Sequence, residues 1–179
     1  MKNILIIKSS NRPCSITNRM CDFIKENADC EITEFNLTKE NIHFCDGCDF
    51  CKTAEKCKYN DLDEFFTDFE KADTVVFATP VRNGTFSAPM KILLERFQCY
   101  FESFYKNNKT QPIKKQREAV LIGASGRDET ENFKQMKMLL ARECTVLNMK
   151  LKASFICVNT DSENNLNDVK KEILKEFNV

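Results

Sequence analysis

Five short apolar runs recur along the 179-residue chain, and helical patterns separate them. The runs cover residues 3–8, 30–36, 73–79, 118–123 and 151–158. The first, third and fourth are rich in Ile, Val, Leu and Phe without polar alternation, which is typical of strands buried on both faces of a parallel sheet. Candidate helices lie at about 15–27, 61–71, 86–106, 129–147 and 163–177. This alternation of strands and helices predicts a doubly wound α/β domain.

The composition narrows the classes of function. Apolar residues make up 42% of the chain and charged residues 30%, as in ordinary globular proteins. The 27 basic and 27 acidic residues cancel, so nothing favours nucleic acid as a partner. No apolar run approaches the roughly 20 residues that span a bilayer, and the first run is too short for a signal peptide. We therefore expect a cytoplasmic protein with neither a membrane nor a nucleic-acid partner.

Four of the ten cysteines follow the spacing C-x2-C-x2-C-x5-C. They are Cys45, Cys48, Cys51 and Cys57. Thiolates at this spacing can converge on one soft inorganic centre, and bacterial iron–sulfur sites use nearly the same run. Zinc is the alternative, although structural zinc sites more often use two separated C-x2-C pairs. The run lies in a segment at about 37–59 without predicted regular structure, and we expect a bound centre to order this segment.

The remaining cysteines and the single histidine carry weaker signals. We expect the six scattered cysteines to be small buried hydrophobes. They are Cys14, Cys21, Cys30, Cys99, Cys144 and Cys157. His43 lies two residues before the cysteine run, which suggests a ligand or proton donor, but a lone histidine is more often structural.

The predicted helix over residues 86–106 carries more aromatic surface than one face of a sheet requires. Its large apolar residues are Leu93, Leu94, Phe97, Tyr100, Phe101, Phe104 and Tyr105. These side chains belong either to the core or to a subunit interface, because buried aromatic surface stabilises association.

The loop after the first predicted strand, residues 9–18, offers hydroxyls, amides and one guanidinium but no glycine. It therefore matches neither a Rossmann G-x-G-x-x-G nor a Walker loop. Short donors at a helix N-terminus suit a single terminal phosphate, which the helix dipole also attracts. The alternative is a helix cap by Ser15 or Thr17 with a solvated Arg12.

Two further loops follow predicted strands. In residues 79–91, Pro80 ends a strand, and Asn83-Gly84 permits positive φ and a close approach of backbone to a flat ligand. A simple turn before a helix is the alternative. In residues 123–127, small residues leave room for a ligand beside the other two loops. The ligand of an open parallel sheet lies beyond the carboxyl ends of its strands, where these loops would meet.

The segments at 4–17, 42–57 and 72–91 together resemble the flavodoxin-like NAD(P)H-dependent FMN reductases, and most of all their iron–sulfur flavoprotein branch. The resemblance covers about residues 3–160. It implies a flavodoxin-like three-layer sandwich with a five-stranded parallel sheet in the order 2-1-3-4-5. It also implies a single FMN-binding domain over residues 1–179, with a cysteine-rich insertion at about 37–59 after strand 2.

The resemblance also implies a set of cofactor contacts. The residues that would hold the FMN phosphate are Ser10, Arg12, Ser15, Ile16 and Thr17. Those that would lie along the isoalloxazine ring are Pro80, Val81, Arg82, Asn83 and Gly84, and those that would close the far side are Ser125 and Gly126. A [4Fe–4S] cluster would be held by the four-cysteine run; zinc or no metal is the alternative there. No catalytic acid–base residue is implied.

We accordingly predict an FMN-dependent oxidoreductase that passes electrons from NAD(P)H, or from a reduced electron-carrier protein, to an acceptor. The alternatives are a zinc-stabilised non-catalytic binding module and a flavodoxin-like carrier without NAD(P)H activity. The resemblance implies a homodimer or homotetramer. Two positions depart from the family pattern, since Ser9 replaces a usual glycine and Arg82 replaces a common aromatic residue. Arg82 would favour an anionic reduced ring, bind a phosphate of the nicotinamide donor, or point into solvent.

Overall fold

The computed structural model describes residues 2–177. The strands are Asn3–Lys8 (β1), Glu31–Asn36 (β2), Thr74–Pro80 (β3), Arg117–Ala124 (β4) and Met149–Cys157 (β5). They form one sheet in the order β2-β1-β3-β4-β5, and every neighbouring pair is parallel. The helices are Ile16–Asn27 (α1), Cys51–Ala54 (α2), Asp63–Lys71 (α3), Ala88–Arg96 (α4), Gln98–Lys106 (α5), Thr130–Val146 (α6) and Glu163–Phe177 (α7). The predicted strand order is confirmed.

Alternate residues of β1 enter two separate cores. Leu5 and Ile7 pack into the cluster on the side of α3 to α6, whereas Ile4 and Ile6 pack into the cluster on the side of α1 and α7. Successive side chains of a strand point to opposite faces, so an unbroken apolar run is what a strand covered on both faces requires. The sheet is therefore the middle layer of three, as predicted.

The single helix predicted over residues 86–106 is two helices that meet at Phe97. The backbone of Phe97 lies at φ −70° and ψ −1°, and its N–H is shared between the carbonyls of Leu93 and Leu94 at 3.2 and 3.3 Å. The ring of Phe97 is buried and stacks on Phe69 at 4.9 Å between centroids. Tertiary packing at this residue coincides with the break, although no glycine or proline lies between positions 90 and 106.

The apolar side chains of α4 and α5 divide between the interior and the surface. The buried ones are Leu93, Leu94, Phe97, Tyr100 and Phe104. Phe101 and Tyr105 are 40% and 51% exposed and lie 4.5 Å apart between ring centroids. The core interpretation is thus confirmed for five of these seven side chains, and the two adjacent rings of Phe101 and Tyr105 remain on the surface.

Arg117 at the start of β4 is a buried cation that joins two helix ends. Its guanidinium donates to the carbonyl of Phe69, in the last turn of α3, and to that of Leu147, directly after α6. The guanidinium carbon lies 4.5 Å from the centre of the Phe69 ring. Burial lowers the pKa of Arg117 to about 10. These carbonyls have no intrahelical donor, so Arg117 satisfies both.

The scattered cysteines are only partly as expected. Cys21, Cys99, Cys144 and Cys157 are buried. The prediction is wrong for Cys14, which is exposed because it lies in the loop before α1, and Cys30 is half-buried.

Among the residues that the structure describes, no helix is both long and apolar enough to cross a membrane.

Candidate functional site

The three predicted ligand loops begin side by side at one edge of the sheet. The backbone N–H of Ser9 donates to the Ala78 carbonyl at 3.0 Å, and that of Val81 donates to the Ala124 carbonyl at 2.9 Å. The N–H of Ser125 donates to the carbonyl of Cys157, the last residue of β5, at 2.9 Å. Because β1, β3 and β4 are adjacent and parallel, their carboxyl ends deliver these loops to one place.

A cavity of about 580 Å³ opens between the loops. Ten of the twelve residues predicted to contact FMN line it, namely Ser10, Arg12, Ser15, Ile16, Thr17, Pro80, Val81, Arg82, Ser125 and Gly126. Asn83 lines an adjoining cavity of about 750 Å³, which shares Pro80 and Arg82 with the first. Gly84 lies in the turn and is not among the lining residues of either. Thr160, which was not predicted, also borders the first cavity.

The loop before α1 is held by its own polar groups. Ser15 caps the helix by accepting from the Asn18 N–H at 3.1 Å, as the capping alternative predicted. The Asn18 amide nitrogen donates to the carbonyls of Arg12 and Pro13 at 2.9 and 3.2 Å, which fixes the loop across the helix end. Capping uses an acceptor lone pair of the Ser15 hydroxyl, so its proton remains available to a ligand. The cap and an anion site are therefore compatible.

Thr17 supplies a feature that the cap does not explain. Its residue is 1% exposed, it lines the cavity, and its Oγ1 has no hydrogen-bond partner among the described residues. A buried hydroxyl without a partner is costly, so such groups ordinarily have a ligand, a water or a protein partner. Thr17 lies in the first turn of α1, where free backbone N–H groups and the helix dipole attract an anion. These donors fit a terminal phosphate.

The loop after β3 makes a tight reversal. The N–H of Arg82 donates to the Thr85 carbonyl at 2.9 Å, and the N–H of Thr85 donates back to Arg82 at 3.0 Å. The two residues between them, Asn83 and Gly84, have φ of 49° and 74°. Positive φ at both central positions is the geometry that Asn-Gly favours. The positive φ expected at this dipeptide is confirmed, and Arg82 is exposed on the border of the two cavities.

A buried chain of hydroxyls joins this loop to β1, and sequence reasoning missed it. Ser87 Oγ donates to Ser9 Oγ at 2.8 Å, and Ser9 Oγ donates to the Ala78 carbonyl at 3.1 Å. The Ser87 N–H donates to Thr79 Oγ1 at 3.1 Å. Ser9, which replaces a glycine of the family pattern, therefore turns its side chain into the protein. Its two partners, Ser87 Oγ and the Ala78 carbonyl, show why a serine is accommodated there.

The cysteine run surrounds a second, separate cavity of about 410 Å³. All four cysteines line it, together with Cys99 from α5 and Arg96 from the end of α4. Within residues 2–177, no three His, Cys, Asp or Glu side chains converge closely enough to hold one metal ion. Cys99 was predicted only as a buried hydrophobe, because it lies 42 residues beyond Cys57 in the sequence.

Arg96 holds both ends of the cysteine run. Its side chain is 0% exposed, and its two terminal nitrogens donate to the carbonyl of His43 at 2.8 Å and to that of Tyr59 at 3.3 Å. The same nitrogens also donate hydrogen bonds to the two carboxylate oxygens of Asp61 at 2.6 and 3.1 Å. The Asp61 carboxylate also accepts from the His43 N–H at 2.7 Å. Protein contacts therefore hold the segment at both ends, and a bound centre that orders the cysteines between them stays a prediction.

Smaller contacts complete the loop. The His43 ring stacks on Tyr59 at 4.5 Å, which gives this histidine the structural role that was the favoured prediction. Asp46 accepts from Lys58 Nζ at 2.6 Å and from the Tyr59 hydroxyl at 3.0 Å, and these donors lower the pKa of Asp46. One helical turn, α2, carries Cys51 in a segment that was predicted to have no regular structure.

The pKa values at this cavity follow from burial and from the ion pair. Burial would raise the pKa of Asp61, but hydrogen bonds from Arg96 and His43 outweigh it and lower the pKa to about 2. Burial would lower the pKa of Arg96, but Asp61 and the neighbouring Cys57 raise it. Burial raises the pKa of Cys99 to about 12, with further contributions from Cys57 and Cys51.

Comparisons with known proteins agree with this geometry. The model of the family described as NADPH-dependent FMN reductase matches residues 2–153. An iron–sulfur flavoprotein of Methanocaldococcus jannaschii is 34% identical over 95 residues, which are 52% of this chain and 46% of that protein. The FMN-dependent NADH:quinone oxidoreductase 2 of Bacillus cereus is 25% identical over 168 residues, which are 82% and 80% of the two chains.

The fold is shared with solved structures of low sequence identity. The azoreductase of Bacillus anthracis superposes with a TM-score of 0.76 at 16% identity, over 99% of both chains. The match spans less than half the length of the iron–sulfur flavoprotein named above. The family match covers most of the chain, and the resemblance inferred from the sequence is confirmed. This chain belongs to the NADPH-dependent FMN reductase family.

Proposed function

We propose that this protein uses FMN, held in the cavity between the β1, β3 and β4 loops, to pass electrons from a nicotinamide donor to an acceptor. The observation that carries the proposal is the unpartnered, buried Thr17 hydroxyl at the N-terminus of α1. It borders a cavity that is lined by most of the residues predicted to contact FMN.

The loop before α1 would bind the phosphate. The hydroxyls of Ser10, Ser15 and Thr17 and the first backbone N–H groups of α1, including that of Ile16, are short donors at one helix end. Arg12 would add a positive charge at the mouth of the site. Asn18 is a positioning residue there, because its amide fixes the loop carbonyls.

The loop after β3 would support the ring. The Arg82–Thr85 reversal presents backbone along residues 80–84, and Ser125 and Gly126 border the opposite side. When bound, FMN supplies the redox chemistry by accepting the two electrons of a hydride and releasing them to an acceptor. The adjoining cavity shares Pro80 and Arg82 with the first, so we propose it as the place where NAD(P)H approaches the ring. A reduced carrier protein is the alternative donor.

The cysteine cavity would hold a [4Fe–4S] cluster on Cys45, Cys48, Cys51 and Cys57. Two considerations support a cluster over a single zinc ion. All four cysteines line one cavity. Their spacing is close to that of bacterial iron–sulfur sites, whereas structural zinc sites more often use two separated C-x2-C pairs. Such a cluster would carry single electrons between the flavin and the acceptor.

Anaerobic purification and a visible spectrum test both parts. We expect the two resolved bands of oxidised flavin, a broad shoulder that bleaches on reduction, and turnover of NAD(P)H with a soluble quinone, since the Bacillus cereus relative is named for quinones. A colourless protein would refute the proposal. Zinc in place of iron and sulfide would refute the cluster alone.

Matched variants test the ligand set of the cluster. Cys57→Ser should lose iron and sulfide, whereas Cys99→Ala should keep both, because Cys99 lies outside the run but lines the same cavity. Equal loss in both variants would mean that Cys99 is a ligand or that the cavity collapses without it.

We further propose that residues 1–179 form a single domain with the cysteine segment at 37–59 as an insertion, and that it assembles as a homodimer or homotetramer. Exposed Phe101 and Tyr105 support an interface on α5. The ten free cysteines support a cytoplasmic location, where thiols stay reduced. Light scattering of wild type and Phe101→Ser tests the assembly; an unchanged mass in the variant would remove α5 from the interface.

A further inference from the structure

Arg96 has one donor that the fold does not use. A guanidinium has five N–H groups. The four on the terminal nitrogens meet four acceptors, namely the two carbonyls of His43 and Tyr59 and the two oxygens of Asp61. The fifth, on Nε, is buried and has no partner among the described residues. The residue lines the cysteine cavity.

The free N–H lies in a place that suits a sulfur ligand. Cys57 is a close neighbour of the guanidinium, and the cavity wall beside it also contains Cys99, whose sulfur donates to the Arg96 carbonyl at 3.4 Å. Buried donors without partners are rare, and those at metal sites commonly reach the ligating atoms. The sulfurs of a centre in this cavity would supply the acceptor that Arg96 Nε lacks.

The other four donors act on the backbone that carries the cysteines. His43 lies two residues before Cys45, and Tyr59 lies two residues after Cys57. Tying both carbonyls to one rigid helix residue fixes the distance between the two ends of the run. Because Asp61 neutralises most of the charge of Arg96, the contribution of the arginine is mainly geometric and through hydrogen bonds.

We propose that Arg96 is the positioning residue of the cysteine site: it closes the loop around the cavity before any centre binds, and its Nε–H donates to the Cys57 sulfur of the bound centre. The first half is independent of what the cavity binds. The second half rests on the proposed cluster. No other described arginine joins the two ends of this segment.

The first test is hydrogen exchange of the protein freed of metal under anaerobic, reducing conditions. In Arg96→Lys, amides of residues 43–59 should exchange at least about tenfold faster, because an ammonium cannot hold both carbonyls and Asp61 at once. Exchange in β1 and β3 should stay as in wild type. Arg117→Lys is the matched control, since Arg117 is also buried and also donates to two carbonyls, but of other segments. Unchanged loop exchange in Arg96→Lys, or equal acceleration in Arg117→Lys, would overturn the first half.

The second test follows anaerobic reconstitution with Fe²⁺ and sulfide. Loss of a hydrogen bond to a metal ligand commonly weakens metal binding about 10- to 100-fold, so iron retained against a chelator should fall by that factor in Arg96→Lys and not in Arg117→Lys. The cluster that remains should have a more negative reduction potential, because a hydrogen bond to sulfur stabilises the reduced state. An unchanged potential would overturn the second half. If wild type takes up no iron or sulfide, the proposed cluster and the second half fail together, while hydrogen exchange still decides whether Arg96 closes the loop.

Discussion

Replacing Thr17 by valine should change the free protein and the FMN complex in opposite directions. Valine keeps the shape of threonine and removes the Oγ1 that has no partner. An unsatisfied buried hydroxyl costs about 1–3 kcal/mol, so the FMN-free variant should be more stable than wild type by up to that amount. In the complex, the lost contact is a hydrogen bond to a charged phosphate, worth about 1.5–3 kcal/mol. This lost contact alone raises the Kd for FMN roughly 10- to 150-fold, and any stability that the FMN-free variant gains raises the Kd further.

Flavin fluorescence titration at fixed ionic strength measures the affinity, and denaturant unfolding of FMN-free protein measures the stability. Thr67→Val is the control, because Thr67 is an exposed helical threonine whose hydroxyl donates to the Asp63 carbonyl at 3.0 Å, on α3. It should leave FMN affinity unchanged. FMN binding by Thr17→Val as tight as by wild type would refute the assignment of the phosphate site. Loss of stability in the FMN-free variant would show that the hydroxyl has a partner, such as a buried water.

Three further predictions address stability. The pKa of Asp61 is lowered to about 2, so the ionised carboxylate stabilises the folded protein fully above its ordinary pKa, and this contribution is lost as the pH falls through about 2. The difference in unfolding free energy between wild type and Asp61→Asn should therefore shrink in acid titrations monitored by circular dichroism. Arg117→Met should cost about 2–6 kcal/mol in urea unfolding, because two buried carbonyls lose their donor at about 1–3 kcal/mol each. A loss no larger than in an exposed-arginine control would contradict the capping role. Gly84→Ala should cost about 1–2 kcal/mol, because φ of 74° disfavours a side chain. An added Cβ would also lie 3.0 Å from Asn132 Nδ2, so combining the change with Asn132→Ala should recover only part of the loss.

The fold was predictable because its strongest signals are local. β1 has the bounds that were expected, since four consecutive apolar residues must be covered on both faces. The break at Phe97 was not predictable, because the residues around it favour a continuous helix and the break accompanies packing on Phe69, 28 positions earlier. Apolar periodicity therefore predicts that a helix forms in this segment, whereas the position of its break depends on tertiary packing that the local sequence does not show.

The two candidate sites differ in the same way. The residues around the first cavity follow directly from the ends of three adjacent strands, so a sequence pattern could indicate them. Arg96 and Cys99 lie about forty positions beyond the cysteine run, on helices whose faces look like ordinary core. The available signal in the sequence was an arginine at a core-facing position of an amphipathic helix. A guanidinium buried there requires acceptors that its own helix cannot offer.

The arrangement of the two cavities supports the proposal that the cysteine segment relays electrons over the alternative of a purely structural role. Ala88, at the start of α4, borders the cavity beside the ring loop, and Arg96, at its end, borders the cysteine cavity. A nine-residue helix is about 13 Å long. Ile42 also lines the cavity that Ala88 borders. The carbonyl of the next residue, His43, accepts a hydrogen bond from Arg96. Two short, rigid connections therefore run from one cavity to the other. The proposed electron relay requires a fixed distance between the cysteine segment and the proposed flavin site, and a helix with its two ends at the two cavities supplies it.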